Sequence, residues 1–139
     1  MWTEIYRAFL GSKGYMIGIF LVFLTTCLYF PGVTNNIRLE FIYNLFPNSL
    51  DRIAWLNLVM VLTFNIFDTV GRISASYMIW VPDKVVFALI FLRLFLFSAT
   101  FITFAAVELG SIPVWAIMLN QILFAWSNGY LATHCAIKG

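Results

Sequence analysis

The sequence predicts an all-α, polytopic membrane protein with four transmembrane helices, and three observations carry that expectation. Hydrophobic residues make up 63% of the 139 and charged residues only 10%, where a soluble domain carries about 25% charged. The apolar residues gather into runs near 14–30, 53–80, 84–107 and 112–137, each long enough for the roughly 17–25 residues a helix needs to cross a bilayer. Pro31-Gly32, Pro47-Asn48, Pro82-Asp83 and Gly110 to Pro113 separate them. Mean hydropathy is +0.94. No polar stretch is long enough for a soluble domain and no repeat is visible, so residues 1–139 read as a single membrane domain.

Several function classes fall away at this level. A net charge of +2 with scattered Lys and Arg gives no basic patch for nucleic acid. No nucleophile–base pair and no metal-ligand spacing is present, so the chain reads as a non-enzyme without metal or cofactor. Cys27 and Cys135 sit near the ends of the first and fourth spans, which belong on opposite sides of the membrane, too far apart for a disulfide. The first residues, MWTEIYRAFLGSK, have neither transit-peptide composition nor a small-residue cleavage site, so targeting is not legible.

Taken in order, Trp2, Ile5, Tyr6, Phe9 and Leu10 share one helix face opposite Thr3, Glu4 and Arg7. They form either a short interfacial helix, loosened at Gly11 and Gly14, or a plain extension of the first span. In the first span Thr25 and Thr26 can bond back to the helix's own carbonyls. The connection 33–52 is too apolar for a free aqueous loop and is expected at the interface, with Ser49 or Asp51 capping the next helix. The second span ends at Trp80, and its short link to the third predicts that these two are antiparallel neighbours. Arg93 stands near the middle of the third span. It either lines a path or braces a gate, or it is a structural cation met by backbone carbonyls or by snorkelling. Glu108 is expected in the interface. In the fourth span Asn120, Ser127 and His134 recur at heptad spacing and Gln121, Asn128 and Cys135 do so beside them. They read as one continuous polar face whose plainest use is helix packing through interhelical hydrogen bonds. His134 reads as packed or solvated. Arg7, Lys13, Lys84 and Lys138 outnumber Arg38 and Arg52 across the membrane, which favours both termini on the cytoplasmic or matrix side.

The stretch Thr63 to Arg72, TFNIFDTVGR, asks the most of the chain. Each charge at a helix centre costs roughly 2.5–3.5 kcal/mol on insertion scales, so Asp68 and Arg72 need protein or water beside them. Four residues apart, they can pair. Asn65 lies one turn before, and Asn57 and Ser76 extend roughly the same face.

These residues also carry a resemblance. Asn65, Asp68, Gly71 and Arg72 form an N-x-x-D-x-x-G-R pattern, Ser127 to Ala132 read SNGYLA, and Phe30 to Thr34 read FPGVT. In this order and spacing they resemble the equilibrative nucleoside transporters, over spans seven to ten of that family's eleven. The resemblance implies a helical bundle, passage of nucleosides or nucleobases by alternating access, and binding of the sugar by Asp68 and Arg72, with Asn65 beside them. A carboxylate accepting from vicinal hydroxyls and a guanidinium fork donating to a ligand fit that role. Arg93, Asn120, Ser127 and Asn128 are candidates for packing or for the path.

Matched to four of eleven spans, the chain is expected to be a truncated transporter bundle. The reading favoured on that ground is a structural or accessory subunit of a larger membrane complex, such as a respiratory-type assembly, which would place it in the mitochondrial inner membrane. The alternative is facilitative nucleoside or nucleobase transport by an oligomer or beside a separate partner half. Either way, besides the lipid bilayer, another membrane subunit, a second copy or a lipid headgroup is expected to cover the Asp68 and Arg72 face.

Overall fold

The structure is a computed structural model that describes residues 1–29, 40–78, 80–106 and 112–139. Every regular element among them is helical: α1 (Trp2–Tyr29), α2 (Glu40–Leu45), α3 (Ser49–Tyr77), α4 (Asp83–Ala106) and α5 (Val114–Lys138). The FPGVT motif, Arg38 and Glu108 lie outside the described residues. Among the described residues two helices, Trp2–Leu28 and Leu50–Tyr77, are long and apolar enough to cross a membrane. α5 has comparable length, but Asn120, Gln121, Asn128 and His134 dilute its apolar character.

Several boundaries differ from expectation for identifiable reasons. α1 runs unbroken through Gly11 and Gly14, so the N-terminal segment is an extension of the first helix. Two glycines, each about 1 kcal/mol worse than Ala, do not break a helix whose other residues favour it. Its first ten residues are all exposed, and the helix projects past the bundle there. α3 begins at Ser49 with Asn48 as N-cap. The N-cap position expected of Ser49 or Asp51 falls to Asn48, the residue with extended backbone, and its side-chain amide donates to the Asp51 carboxylate at 3.3 Å. α3 ends at Tyr77, where the Met78 N–H bonds the Ser74 carbonyl, three residues before Trp80. A belt tryptophan marks a depth rather than a helix end.

Helix directions follow from which residues meet. Met60 pairs with Gln121, Asp68 with Asn128 and Met78 with Tyr130, so α3 and α5 are parallel. Arg93 meets Ser127 while Thr100 meets Asn120, so α4 runs against α5. Thr26 meets Asn128, and Tyr15 lies against Gly139, so α1 also opposes α5. α5 is thus the hub, packed most extensively on α3 and also on α1 and α4.

The expectation that α3 and α4 are close neighbours is not met; despite their short link they scarcely touch among the described residues. The cause is a backbone-to-backbone approach between α3 and α5. A Cβ on Gly71 would collide with the Trp126 carbonyl oxygen, and one on Gly129 with the Asp68 carbonyl oxygen. Only two glycines facing each other allow that separation. α5 therefore occupies the flank of α3 that α4 would otherwise take.

Two apolar clusters sit one above the other along the bundle. One holds Met60 and Phe64 of α3, Phe97 of α4, and Ile117, Phe124 and Ala125 of α5. The other holds Val22 of α1, Ala75 of α3, Val86 and Ile90 of α4, and Tyr130 to Ala132 of α5. Between them, on every long helix, falls a polar residue: Thr26, Asp68, Arg93 and Asn128.

Asp83 and Lys138, 3.3 Å apart, tie the start of α4 to the end of α5. The Tyr15 hydroxyl, and after it Lys138, hold the Asp83 carboxyl below the ordinary carboxylate range. A lowered folded pKa adds stability above the unfolded value of about 3.9 and loses it as pH falls through the folded value. Asp83→Asn is therefore expected to lower the unfolding temperature slightly at pH 6. The gap from wild type should close as the pH falls past the unfolded value and through the lower folded one, and shrink with salt, as for any exposed pair.

Candidate functional site

The polar layer is one connected network. Arg93 of α4 is 2% exposed, so it does not snorkel. Its guanidinium donates to the Phe124 carbonyl at 2.5 Å, to the Ser127 hydroxyl, to the Thr26 hydroxyl at 2.9 Å and to Asn128 Oδ1 at 3.3 Å. It also lies over the Phe124 ring, 4.1 Å from its centroid. A backbone carbonyl is thus among the acceptors of this buried cation.

Asn128 carries the network through α5. Its Oδ1 accepts from Thr26 and Arg93, and its Nδ2 donates to Asp68 Oδ1 at 2.6 Å. Asp68 Oδ2 accepts from Arg72 Nε at 2.8 Å, so the four-residue spacing does give a pair. The two partners are unequal: the Asp68 side chain is 14% exposed and that of Arg72 48%. Among the described residues the terminal NH2 groups of Arg72 bond nothing, and its side chain is about half exposed. Asn65, Thr69 and Ser76 are also exposed on α3. The hydroxyl of Thr69 is bonded back to the Asn65 carbonyl.

The polar residues of α5 do not form the single face that heptad spacing predicts. Asn120 accepts from Thr100 of α4 and Gln121 donates to the Met60 carbonyl of α3. Ser127 meets α4, and Asn128 bridges α1, α3 and α4. A hub helix has protein on several sides, so its polar residues part toward different neighbours. His134 is buried, its ring 5.8 Å from that of Tyr130. Cys135 is buried and free, and Cys27 is exposed and free. Asn57 lies on the α3 flank with a buried, unpartnered Oδ1.

Sequence reasoning underrated Thr26. Its hydroxyl bonds the Val22 carbonyl at 2.9 Å, as expected of a threonine in a helix, but it also meets Asn128 and Arg93. Having one proton, it donates to only one acceptor at a time. Nothing in its spacing separates it from Thr25, whose hydroxyl among the described residues bonds only Leu21. The two motifs of the second and fourth spans prove to be one feature. Gly71 and Gly129 form the close crossing, and Asp68 and Asn128 bond across it.

Long apolar helices with charged groups held in a layer between them are the architecture of a membrane protein rather than of a soluble domain. The profile of a family described as Nucleoside transporter matches residues 2–139, and the chain belongs to that family. No curated protein and no solved structure matches it.

Proposed function

We propose that α1, α3, α4 and α5 each cross the bilayer and form one wall of a path by which nucleosides pass through a membrane down their gradient. The observation that carries this reading is the open Arg72 fork beside a fixed Asp68. Asn128 holds the carboxylate, the carboxylate holds Nε, and two NH2 groups remain to donate to the vicinal hydroxyls of a ribose. The facing wall comes from residues outside this sequence: a second copy, a separate chain, or a longer form of this one.

The structural-subunit reading favoured from the sequence has less behind it. A pair kept only to hold helices together gains nothing from leaving one guanidinium fork free. No observation speaks for a respiratory-type assembly or for a particular organelle.

The purified protein in liposomes is expected to move a radiolabelled nucleoside down its gradient with no coupling ion. Arg72→Lys should slow this by roughly tenfold or more, because a point ammonium loses a charge-assisted bond of about 1.5–3 kcal/mol. Flux no greater than in empty vesicles, with the protein folded, would remove transport as a property of the chain by itself.

A further inference from the structure

α1 outruns the bundle it belongs to. Tyr15 lies against Gly139 and its hydroxyl engages the Asp83 carboxyl, so at Tyr15 the helix passes the start of α4 and the end of α5. The partly exposed Asp83–Lys138 pair and the exposed Trp80 mark that level as the membrane surface. α1 is unbroken there, so at about 1.5 Å per residue Trp2 stands about 20 Å beyond Tyr15. Even with the helix tilted by about 40° it stands roughly 15 Å beyond, outside a headgroup layer of roughly 5–8 Å. Lipid therefore does not cover Trp2.

This overhang is not polar all round. Glu4 and Arg7 lie on the side that continues the bundle-facing side of α1, whereas Trp2, Tyr6, Phe9 and Lys13 follow one another on the opposite side in alternating steps of a long and a short turn. Alongside the bundle Met16, Phe20, Phe23 and Cys27 continue the same alternation, while Gly18, Val22 and Thr25 carry the buried side. Every one of these outer residues is exposed. The repeat averages about 3.5 residues, the seam of a left-handed helix pair, where a lone straight helix drifts about 20° per heptad from such a line. Acyl chains ask only that an outer face be apolar. They require neither this register nor its continuation into water.

We infer that the outer face of α1 docks a second copy of this chain, the two α1 helices lying parallel along this seam. Copies inserted the same way meet parallel, and a two-fold axis then sets each seam residue against its own counterpart. The seam aromatics Trp2, Tyr6, Phe9, Phe20 and Phe23 are 42% to 79% exposed. At about 150–250 Å² per aromatic side chain, roughly 600 Å² is left to cover on each copy. The pair together offers about 1,200 Å², above the roughly 1,000 Å² of a specific interface. Lys13 is the one charge on the seam, and a single lysine at such a position lowers stability while fixing register and strand number. The pairing uses α1 and not α3, so it is separate from the wall that faces Arg72.

The test oxidises the full chain in the membranes of the expressing cell with copper phenanthroline. Cys27 stands exposed on the seam and Cys135 is buried. A covalent product of twice the chain mass is expected, and Cys27→Ser should abolish it. In that background Phe9→Cys or Met16→Cys should restore the product. Arg7→Cys, on the same overhang but off the seam, should give about tenfold less, since its counterpart lies beyond the reach of a disulfide. Tyr6→Glu with Phe9→Glu should remove the Cys27 product. The unfolding temperature of that purified variant should match wild type, because both residues lie on the overhang, clear of α4 and α5. Lys13→Leu should increase the product. Neither nucleoside nor flux enters the test, so its outcome is independent of transport. No dimer, equal products from Phe9→Cys and Arg7→Cys, a Cys27 product that survives the two glutamates, or a product with the mass of a different chain would overturn the assignment.

Discussion

Gly129→Leu and Gly71→Leu are each expected to abolish accumulation of folded protein, the largest single-residue effect in the chain. Overpacking usually costs about 1–3 kcal/mol because a neighbouring side chain can turn aside. Here the atoms in the way are backbone: the Trp126 carbonyl and Tyr130 nitrogen face Gly71, and the Asp68 carbonyl and Arg72 nitrogen face Gly129. Backbone cannot move without separating the helices, which would also stretch the 2.6 Å bond from Asn128 to Asp68. Even alanine should lower the detergent unfolding temperature steeply at both positions. Gly11→Ala is the control. It meets nothing within 4 Å, so it should be neutral or gain up to about 1 kcal/mol from helix propensity. A normal unfolding temperature for Gly129→Leu would mean that α3 and α5 do not approach as described.

Asp68→Ala is the second large effect. It removes the sole carboxylate of the layer and leaves Arg72 without its partner, with the Asn128 amide unbonded. Breaking one side of a buried pair costs about 3–5 kcal/mol. The value here should fall toward the lower end, because Arg72 is half exposed and can be screened or solvated. Replacing Asp68 and Arg72 together by leucine and methionine removes both charges and should cost less than the single change. The comparison is read as the yield of monodisperse protein and its unfolding temperature. Equal losses in the single and double variants would show that the pair is not an energetic unit.

The helical class was legible because composition and run length decide it before any packing detail does. The Asp68–Arg72 contact was legible for a local reason, since residues four apart on a helix meet whatever surrounds them. What is set by tertiary contact was not. No period in the sequence announces that Gly71 and Gly129 face each other, so the placement of α5 on α3 was invisible, and a short link wrongly made α4 the neighbour of α3. Heptad spacing on α5 records an angle around the helix but not how many neighbours the helix has, and Asn120, Gln121, Ser127 and Asn128 therefore looked like one strip. Thr26 was hidden by its ordinary back-bond, which its spacing predicts equally well for Thr25.

The sequence distance between the partners of Asp68 has a consequence for how the protein is made. Arg72 follows four residues later, whereas Asn128 follows sixty residues later. At about 5–20 residues per second of synthesis, that interval is roughly 3–12 s. Throughout it the nascent α3 holds its carboxylate with Arg72 alone, before α4 is finished and α5 exists. The local pair is thus the provisional arrangement that lets a charged segment wait in the membrane, and the arrival of Asn128 converts it into the finished layer. A ribosome pause placed between α4 and α5 should lengthen the wait, and the charged helix should then be most open to capture by chaperones or degradation.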